Sequence, residues 1–294
     1  MNDIRSLLHR ITRELDASGS ASPRLDAEVL LMRFLKTDRV QLCTRPERVL
    51  TEDQCAGFSR WIERRRRGEP VAYITGEKEF WSLPFEVNRH VLIPRPETEC
   101  LIEEVLTHVG QEAGPLRLID IGTGSGAIGV VLAGELPAAR VTATDIAPGA
   151  LEVARRNALR HGVSGRMTFV EGDLFGSAAG EFDIIVSNPP YIPDDLFPLL
   201  PEGIRAFEPR QALLAGPDGL SFHRRIIGEG AARLKPGGRL FLEIGEGQRA
   251  AVDALYRECG LYDNIRFRKD YGGRDRVAAA RKKRVEGIPD PSER

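Results

Sequence analysis

The tetrapeptide Asn188-Pro189-Pro190-Tyr191 follows an apolar run that is typical of a β-strand, Phe182–Val186. The side-chain oxygen of Asn188 and the carbonyl oxygen of Pro189 can accept both hydrogens of an NH₂ group on a planar nitrogen. Such a nitrogen has a delocalised lone pair and attacks a methyl group poorly. Two acceptors that orient it and favour its developing positive charge would therefore promote methyl transfer. Tyr191 is predicted to pack on the flat face of the same group. The competing interpretation is structural, with two prolines that end a strand and a tyrosine that caps the core.

A glycine-rich segment, Asp120 to Gly126, follows an earlier predicted strand. Glycines at alternate positions let the backbone turn tightly and approach a ligand without a Cβ in the way. Asp145 ends the next strand. The two strand ends border one crevice, where a carboxylate suits the two hydroxyls of a ribose. Asp173 follows a third strand, and it is placed either to accept a hydrogen bond from an adenine amino group or to cap a turn.

The glycine loop by itself is compatible with two cofactors. Gly124 to Gly129 matches the G-x-G-x-x-G pattern of dinucleotide sites, and Asp145 lies 21 residues beyond Gly124. However, the glycines begin at Gly122, and the acidic-x-G-x-G-x-G pattern from Asp120 is typical of S-adenosylmethionine sites. The negative charge of Asp120 would repel a pyrophosphate but is compatible with a cationic cofactor. We therefore expect S-adenosylmethionine.

The apolar pattern predicts an α/β scaffold for these motifs. Short apolar runs alternate with helix-like stretches, which indicates βαβ units around a parallel sheet. The runs are Leu116–Ile121, Val141–Thr144, Met167–Val170, Phe182–Val186 and Leu240–Ile244.

The first eighty residues instead have helical periodicity. Ser22 before Pro23 is expected to cap one helix, and Thr51–Gln54 is a capping box that opens another. A segment rich in β-branched and aromatic residues, Tyr73 to Val91, is expected to form a hairpin or extended connector. A helix is expected to follow Pro94 and Pro96 and to end at about Val109.

Composition excludes several protein classes. The 294 residues include 42 Lys and Arg against 43 Asp and Glu, and 41% are hydrophobic, as in ordinary soluble proteins. No apolar run approaches the ~18 residues of a membrane helix, and the N-terminus does not read as a secretion signal, so we expect a cytoplasmic protein. The four cysteines and five histidines show no metal-ligand spacing, so we expect no metal, buried cysteines and surface histidines. Residues 266–284 carry nine basic and two acidic side chains, which fits either nucleic-acid contact or a solvated face.

Together the motifs resemble those of class I S-adenosylmethionine-dependent methyltransferases that modify planar nitrogens. More narrowly, nearly the whole chain resembles the release factor glutamine methyltransferase family (HemK/PrmC). The resemblance rests on a helical N-terminal domain and on Glu79–Ser82, Leu92–Glu99, Asp120–Gly126, Asn188–Tyr191 and Phe207–Pro209. DNA adenine methylases share Asn-Pro-Pro-Tyr, so Pro94–Glu99 is the more discriminating segment. Phe207 stands where relatives often carry Tyr, and a basic tail extends past the last expected strand.

The resemblance implies a Rossmann-like methyltransferase domain at 96–282, an all-α substrate-recognition domain at 1–75, a β-hairpin connector at 76–95 and a tail at 283–294. The implied reaction transfers a methyl group from S-adenosyl-L-methionine to the side-chain amide nitrogen of the glutamine in the Gly-Gly-Gln motif of bacterial class 1 release factors. By matched positions the cofactor-binding residues are Gly122, Thr123, Gly124, Ser125, Gly126, Asp145, Asp173, Leu174 and Asn188. The implied catalytic residues are Asn188, Pro189 and Tyr191, and these three with Pro190 hold the substrate glutamine. We expect a monomer.

Three alternatives compete with this interpretation. A DNA adenine methylase would need a base-reading domain and a broad positive face, whereas residues 1–80 carry fifteen basic and thirteen acidic side chains. A non-catalytic, ribosome-associated cofactor-binding module would use the basic tail, but a catalytically dead relative could lose Asn188, which is intact here. A nicotinamide oxidoreductase would need a hydride-transfer site, and nothing in the sequence marks one.

Overall fold

The computed structural model describes residues 3–109 and 114–284, which form two compact units. The first contains the chain up to Glu77 together with Val87–Arg89 and Leu200–Glu208. The second contains Lys78–Glu86, His90–Leu199 and the chain from Pro209 onwards. Within the described residues no helix is long and apolar enough to cross a membrane. The same residues contain no group of three His, Cys, Asp or Glu side chains arranged to hold a metal ion.

The N-terminal part of the first unit is helical, as its periodicity predicts. Its helices are α1 (Ile4–Ala17), α2 (Pro23–Leu35), α3 (Arg39–Thr44), α4 (Glu52–Arg66) and α5 (Val71–Thr75). Apolar side chains from α1, α2 and α4 form its core, including Leu15, Leu30 and Phe58. The predicted capping box of α4 is confirmed, because Thr51 accepts from the backbone of Gln54 and the Gln54 side chain accepts from the backbone of Thr51.

The predicted capping role of Ser22 is wrong. Its side chain accepts no hydrogen bond from the backbone of α2. Instead the Ser22 hydroxyl donates to Asp26 Oδ1 at 3.0 Å, one turn into the helix. A carboxylate is a stronger acceptor than neutral groups, and Asp26 is held close by an ion pair with Arg65 at 2.8 Å.

A hairpin follows α5, as predicted, and its residues from Lys78 to Glu86 belong to the second unit. Its strands are β1 (Glu77–Phe80) and β2 (Leu83–Glu86), and they form a two-stranded sheet. Trp81 and Ser82 make the turn between them with φ of 53° and 56°, the positive values that two-residue hairpin turns need. Helix α6 (Glu99–Val109) then follows the two prolines and ends where the sequence predicts.

The second unit is built on a seven-stranded sheet, which confirms the α/β class. The strands are β3 (Arg117–Ile121), β4 (Arg140–Asp145), β5 (Met167–Glu171), β6 (Phe182–Ser187), β7 (Leu234–Glu243), β8 (Tyr262–Lys269) and β9 (Asp275–Lys282). Their order is β5-β4-β3-β6-β7-β9-β8. Neighbours from β5 through β7 are parallel, whereas β9 pairs antiparallel with both β7 and β8. The chain passes from one side of β3 to the other between β5 and β6, which is the kind of switch point where open α/β sheets bind ligands.

Helices cover both faces of this sheet. The remaining helices are α7 (Ala127–Glu135), α8 (Pro148–Arg160), α9 (Glu202–Phe207, in the first unit), α10 (Ser221–Arg233) and α11 (Arg249–Cys259). Side chains of α6 and α7 pack in one core with Leu118 of β3, and side chains of α10 and α11 pack in another with Ile119. Consecutive strand residues point to opposite faces, so both faces of β3 are buried.

Two expectations from composition are wrong. His223 is fully buried rather than exposed, and its Nε2 lies 2.8 Å from the carbonyl oxygen of Glu243. Burial lowers the pKa of His223 to about 4, so the ring is neutral and can lie inside the protein beside a single backbone acceptor. Cys43 is exposed rather than buried, because α3 is short and buries only Leu42.

The basic segment at 266–284 is partly neutralised within the fold. Arg268 pairs with Glu103, Arg276 with Asp270 at 3.2 Å and Arg281 with Asp263 at 2.8 Å. These pairs favour the solvated-face interpretation for the part of the segment in β8 and β9, and contact with nucleic acid stays a prediction. The predicted tail lies outside the described residues from position 285 onwards.

Candidate active site

A cavity of about 430 Å³ opens at the carboxyl ends of β3, β4, β5 and β6, a size typical of small-ligand sites. It brings together most of the predicted site residues, which come from four separate strand ends. Lining it are Gly122, Thr123, Gly124, Ser125, Asp145, Asp173, Leu174, Asn188, Pro189 and Pro190. Gly126 and Tyr191 are not among its lining residues.

The three glycines after β3 have two different roles. Gly122, Gly124 and Gly126 all have left-handed backbones, with φ of 67°, 55° and 81°. A Cβ added at Gly122 would meet no atom within 4 Å, so it would take up free space of the cavity. A Cβ at Gly126 would instead lie 3.1 Å from the Cβ of Ala154 on α8. Gly122 therefore leaves room for a ligand, and Gly126 permits close helix packing.

The carboxylate of Asp120 stabilises this loop through hydrogen bonds. Its Oδ2 accepts from the Thr123 hydroxyl at 2.5 Å and from the backbone N–H of Gly129 at 3.0 Å. Its Oδ1 is buried without a hydrogen-bond partner. Burial raises the pKa of Asp120 to about 6, although Thr123 and Gly129 act in the opposite direction. The first turn of α7 therefore already faces a carboxylate of the protein itself.

Asp145 ends β4 beside the loop. One carboxylate oxygen accepts from the backbone N–H of Gly124 and the other from that of Ala147, both at 2.9 Å. Burial raises the pKa of Asp145. Each oxygen retains acceptor capacity, so the carboxylate can bind hydroxyl groups in the cavity. The next residue, Ile146, is 58% exposed and also lines the cavity. The sequence interpretation missed it, although an exposed apolar side chain beside a predicted ligand carboxylate suits a flat ring.

Asp173 and Leu174 follow β5 on the same side of the cavity. The carboxylate of Asp173 is held by Arg225 of α10 in two hydrogen bonds, at 2.6 and 3.2 Å. Leu174 has a left-handed backbone, with φ of 50°, and its carbonyl accepts from the buried Thr144 hydroxyl at 2.6 Å. Arg225 also lines the cavity, and sequence reasoning missed it because α10 is far along the chain.

Asn188 lies where β6 ends, next to the glycine loop. The preceding Ser187 ties the two strand ends together by donating to the carbonyl of Ile121 at 2.7 Å. The Nδ2 of Asn188 donates to the Thr98 hydroxyl oxygen at 3.1 Å, and that hydroxyl donates to Glu243 Oε2 at 2.7 Å. The amide nitrogen of Asn188 is thus engaged with the protein.

Tyr191 meets the same carboxylate from the other side. Its hydroxyl donates to Glu243 Oε1 at 3.4 Å. Burial, reinforced by the nearby carboxylate, raises the pKa of Tyr191, so the phenol stays protonated. Burial also raises the pKa of Glu243 to about 7, opposed by the Thr98 hydroxyl and the positive charge of Arg276. The predicted packing of Tyr191 on a substrate group stays a prediction.

Thr98 and Glu243 are the principal residues that sequence reasoning missed. Glu243 ends β7 as Asp145 ends β4, so an acidic residue at a strand end was the available signal. Thr98 belongs to the segment Leu92–Glu99, which carries the family resemblance but does not by itself predict a role for each of its residues. Its neighbour Glu99 accepts from the backbone N–H of Trp81 at 2.8 Å, so this segment contacts both the cavity and the hairpin.

Comparison with known proteins finds relatives over nearly the whole chain. Residues 6–76 match the model for the PrmC N-terminal domain, and residues 97–195 match that for the methyltransferase small domain. A release factor glutamine methyltransferase of Moorella thermoacetica is 45% identical over 278 residues, which are 94% of this chain and 98% of that protein. One of Vibrio cholerae is 44% identical over 93% of this chain and 95% of that protein.

A solved structure supports the methyltransferase fold. A crystal structure of a methyltransferase from Pyrococcus furiosus matches with a TM-score of 0.51 at 20% identity, over 69% of this chain and 91% of that one. The full-length matches among curated proteins favour a protein methyltransferase over a DNA methylase, a binding module or an oxidoreductase. The chain belongs to the release factor glutamine methyltransferase family.

Proposed function

We propose that this chain transfers the methyl group of S-adenosyl-L-methionine to the side-chain amide nitrogen of the glutamine in the Gly-Gly-Gln motif of bacterial class 1 release factors. The relatives at 44–45% identity carry the name of that activity. Because release factors act in translation, the proposal places the reaction in the cytoplasm. The first unit, which matches the PrmC N-terminal domain, is proposed to help bind the release factor.

The donors and acceptors around the cavity fit S-adenosylmethionine better than a dinucleotide. A pyrophosphate binds at a helix N-terminus through free N–H groups. Here the N–H of Gly129 in the first turn of α7 donates to Asp120, and a negative charge at Asp120 would repel a phosphate. The same charge suits a cationic ligand. Asp145 is proposed to bind the ribose hydroxyls, Ile146 and Leu174 to contact the adenine, and Asp173 to accept from its amino group.

One observation supports the substrate assignment above all others. The amide nitrogen of Asn188 donates to Thr98, so the amide oxygen is available to accept a hydrogen bond from a ligand. Together with the carbonyl of Pro189, it provides the two acceptors that an NH₂ group requires. A glutamine amide held in this way would be oriented with its nitrogen toward the methyl donor.

The chemistry then depends on positioning rather than on a strong base. When bound, the cofactor supplies an electrophilic methyl group on a sulfonium. In the transfer the bond from the methyl carbon to sulfur would break as the bond from that carbon to the glutamine nitrogen forms, and the methylated nitrogen would release one proton. Asn188 and Pro189 favour the positive charge that develops on that nitrogen. Tyr191 keeps its proton and donates to Glu243, so it does not act as the base.

Mass spectrometry of release factors after incubation with the protein and labelled cofactor tests the proposal. We expect one methyl group on the glutamine of the Gly-Gly-Gln motif, and none on a release factor in which that glutamine is alanine. Asn188→Ala should reduce kcat by about 10²–10³-fold while the cofactor Kd changes only a few-fold. A methyl group on another residue, or on adenine in DNA, would contradict the proposed substrate.

A further inference from the structure

We infer that Thr98 and Glu243 are positioning residues, which set the direction of a hydrogen-bond chain and thereby turn the amide oxygen of Asn188 toward the cavity. The inference rests on the proposed function and deepens it. It explains how a symmetric-looking carboxamide is held in the one orientation that can accept hydrogen bonds from a substrate amide.

The two residues that orient Asn188 are both buried. Glu243 is 1% exposed and Thr98 is 4% exposed. The Thr98 hydroxyl lies 2.7 Å from Glu243 Oε2 and 3.1 Å from Asn188 Nδ2. The three residues come from the segment before α6, the end of β7 and the end of β6. Both strand ends belong to one parallel pair, with Ser187 opposite Leu242.

The direction follows from counting hydrogens. An ionised carboxylate only accepts, so the single hydrogen of the Thr98 hydroxyl must point to Glu243. The Thr98 oxygen then has only lone pairs to offer, and Asn188 must present its NH₂ group to it. A flipped Asn188 would bring two acceptors together at this contact and would point its own NH₂ at the substrate NH₂. Both contacts would be unfavourable.

Protonation of Glu243 would remove this control. A neutral carboxyl group can donate to the Thr98 oxygen, which frees the Thr98 hydrogen to point at Asn188 and permits the flipped orientation. The groups that face Glu243 mostly favour its ionised form: Thr98 and Tyr191 donate to it, and Arg276 of β9 attracts it. Glu97 opposes ionisation, Asp270 is paired with Arg276, and His223 meets only the backbone carbonyl of Glu243. Burial nevertheless raises the pKa of Glu243 to about 7, so the hydrogen-bond direction that orients Asn188 becomes more fully populated as pH rises through that value.

The test uses the full-length protein and the glutamine substrate. Thr98→Val removes the hydroxyl at nearly constant volume and should lower kcat about tenfold or more, since 1.4 kcal/mol of lost orientation is tenfold. Thr98→Ser retains the hydroxyl and should keep kcat within about threefold of the wild type. Thr107→Val is the matched control, because Thr107 is exposed on α6 and its hydroxyl bonds only within that helix. The cofactor Kd and the melting temperature are measured for each.

Glu243→Gln tests the direction of the chain. A glutamine can either donate to Thr98 or accept from it, so the direction is no longer fixed, kcat should fall, and the rise of kcat with pH through about 7 should disappear. If this variant does not fold, the pair Thr98→Val and Thr98→Ser decides by itself. Wild-type kcat in Thr98→Val would overturn the inference, as would an equal loss in Thr98→Ser or a loss that follows the cofactor Kd. A wild-type protein that does not methylate glutamine would instead contradict the proposed function.

Discussion

Asp145 accepts a hydrogen bond from the backbone N–H of Gly124 at 2.9 Å, although the two residues lie on different strand ends. β3 and β4 are paired in parallel register, with Ile121 opposite Thr144, so the residues that follow each strand meet at one edge. The carboxylate therefore shapes the glycine loop and faces the cavity at the same time. Removing the Asp145 carboxylate should therefore weaken ligand binding in two ways, by removing an acceptor and by altering the glycine loop.

Asp145→Ala should weaken cofactor binding about 10- to 100-fold, because hydrogen bonds to a charged group contribute roughly 1.5–3 kcal/mol. Titration calorimetry of the cofactor measures the change. Asp253→Ala is the control, since Asp253 pairs with Arg257 on α11 and does not line the cavity. An unchanged Kd for Asp145→Ala would exclude Asp145 from the binding site.

Arg225→Ala should raise the cofactor Kd by up to about fivefold, in line with the ~0.2–1 kcal/mol typical of partly exposed ion pairs. Arg225 holds Asp173 in one orientation beside the cavity, and without it that carboxylate would rotate freely. The neighbouring Arg224 pairs with Asp218 at 2.8 Å and does not line the cavity, so Arg224→Ala should leave Kd unchanged. Equal effects of the two substitutions would argue against a role for the Arg225–Asp173 pair.

Asn157→Ala should lower the free energy of unfolding by about 2–4 kcal/mol, because it leaves three buried or partly buried backbone groups without partners. Asn157 is fully buried on α8, accepts from the backbone N–H of Glu86 and donates to the carbonyls of Glu86 and Ser125. Urea unfolding monitored by fluorescence provides the measurement. Glu152→Ala at an exposed position of the same helix should change stability by less than about 0.5 kcal/mol. A similar small change for Asn157→Ala would mean that these bonds are replaced by water.

Stability should fall with pH because of Glu243, whose pKa is raised from 4.5 to about 7. Between these two values the unfolded chain has released the proton while the folded protein retains it. The folded state therefore binds more protons, and the free energy of unfolding decreases as pH rises. Glu243→Gln should remove up to about 3 kcal/mol of that decrease. Urea unfolding at pH about 5 and about 8 compares the wild type with Glu243→Gln. Burial also raises the pKa of Asp120, so Asp120 lowers the stability of both proteins as pH rises. Identical pH slopes would show that Glu243 does not titrate in this range.

Local patterns were sufficient to predict most helices and the parallel strands. Period-3.6 spacing and the Thr51 capping box predicted α1 and α4, and short apolar runs between helical stretches predicted all five parallel strands. The apolar pattern alone does not predict the antiparallel strands β8 and β9, because their alternating charged residues resemble a basic surface; only the family resemblance implies a last strand before the tail. In β8 this alternation places Arg266 and Arg268 beside Ile265 and Phe267, the period of a strand with one buried face.

The sequence by itself determined which residues follow each strand, since glycines, acids and the Asn-Pro-Pro-Tyr motif mark the strand ends directly. Only the tertiary structure decided which atoms of those residues are free to bind a ligand. Pairing among Asn188, Thr98 and Glu243 joins positions 90 and 145 residues apart, and the helix that contributes Arg225 reaches Asp173 across 52 residues. Hydrogen-bond direction depends on which groups are brought within about 3 Å of one another, and no local pattern encodes that distance.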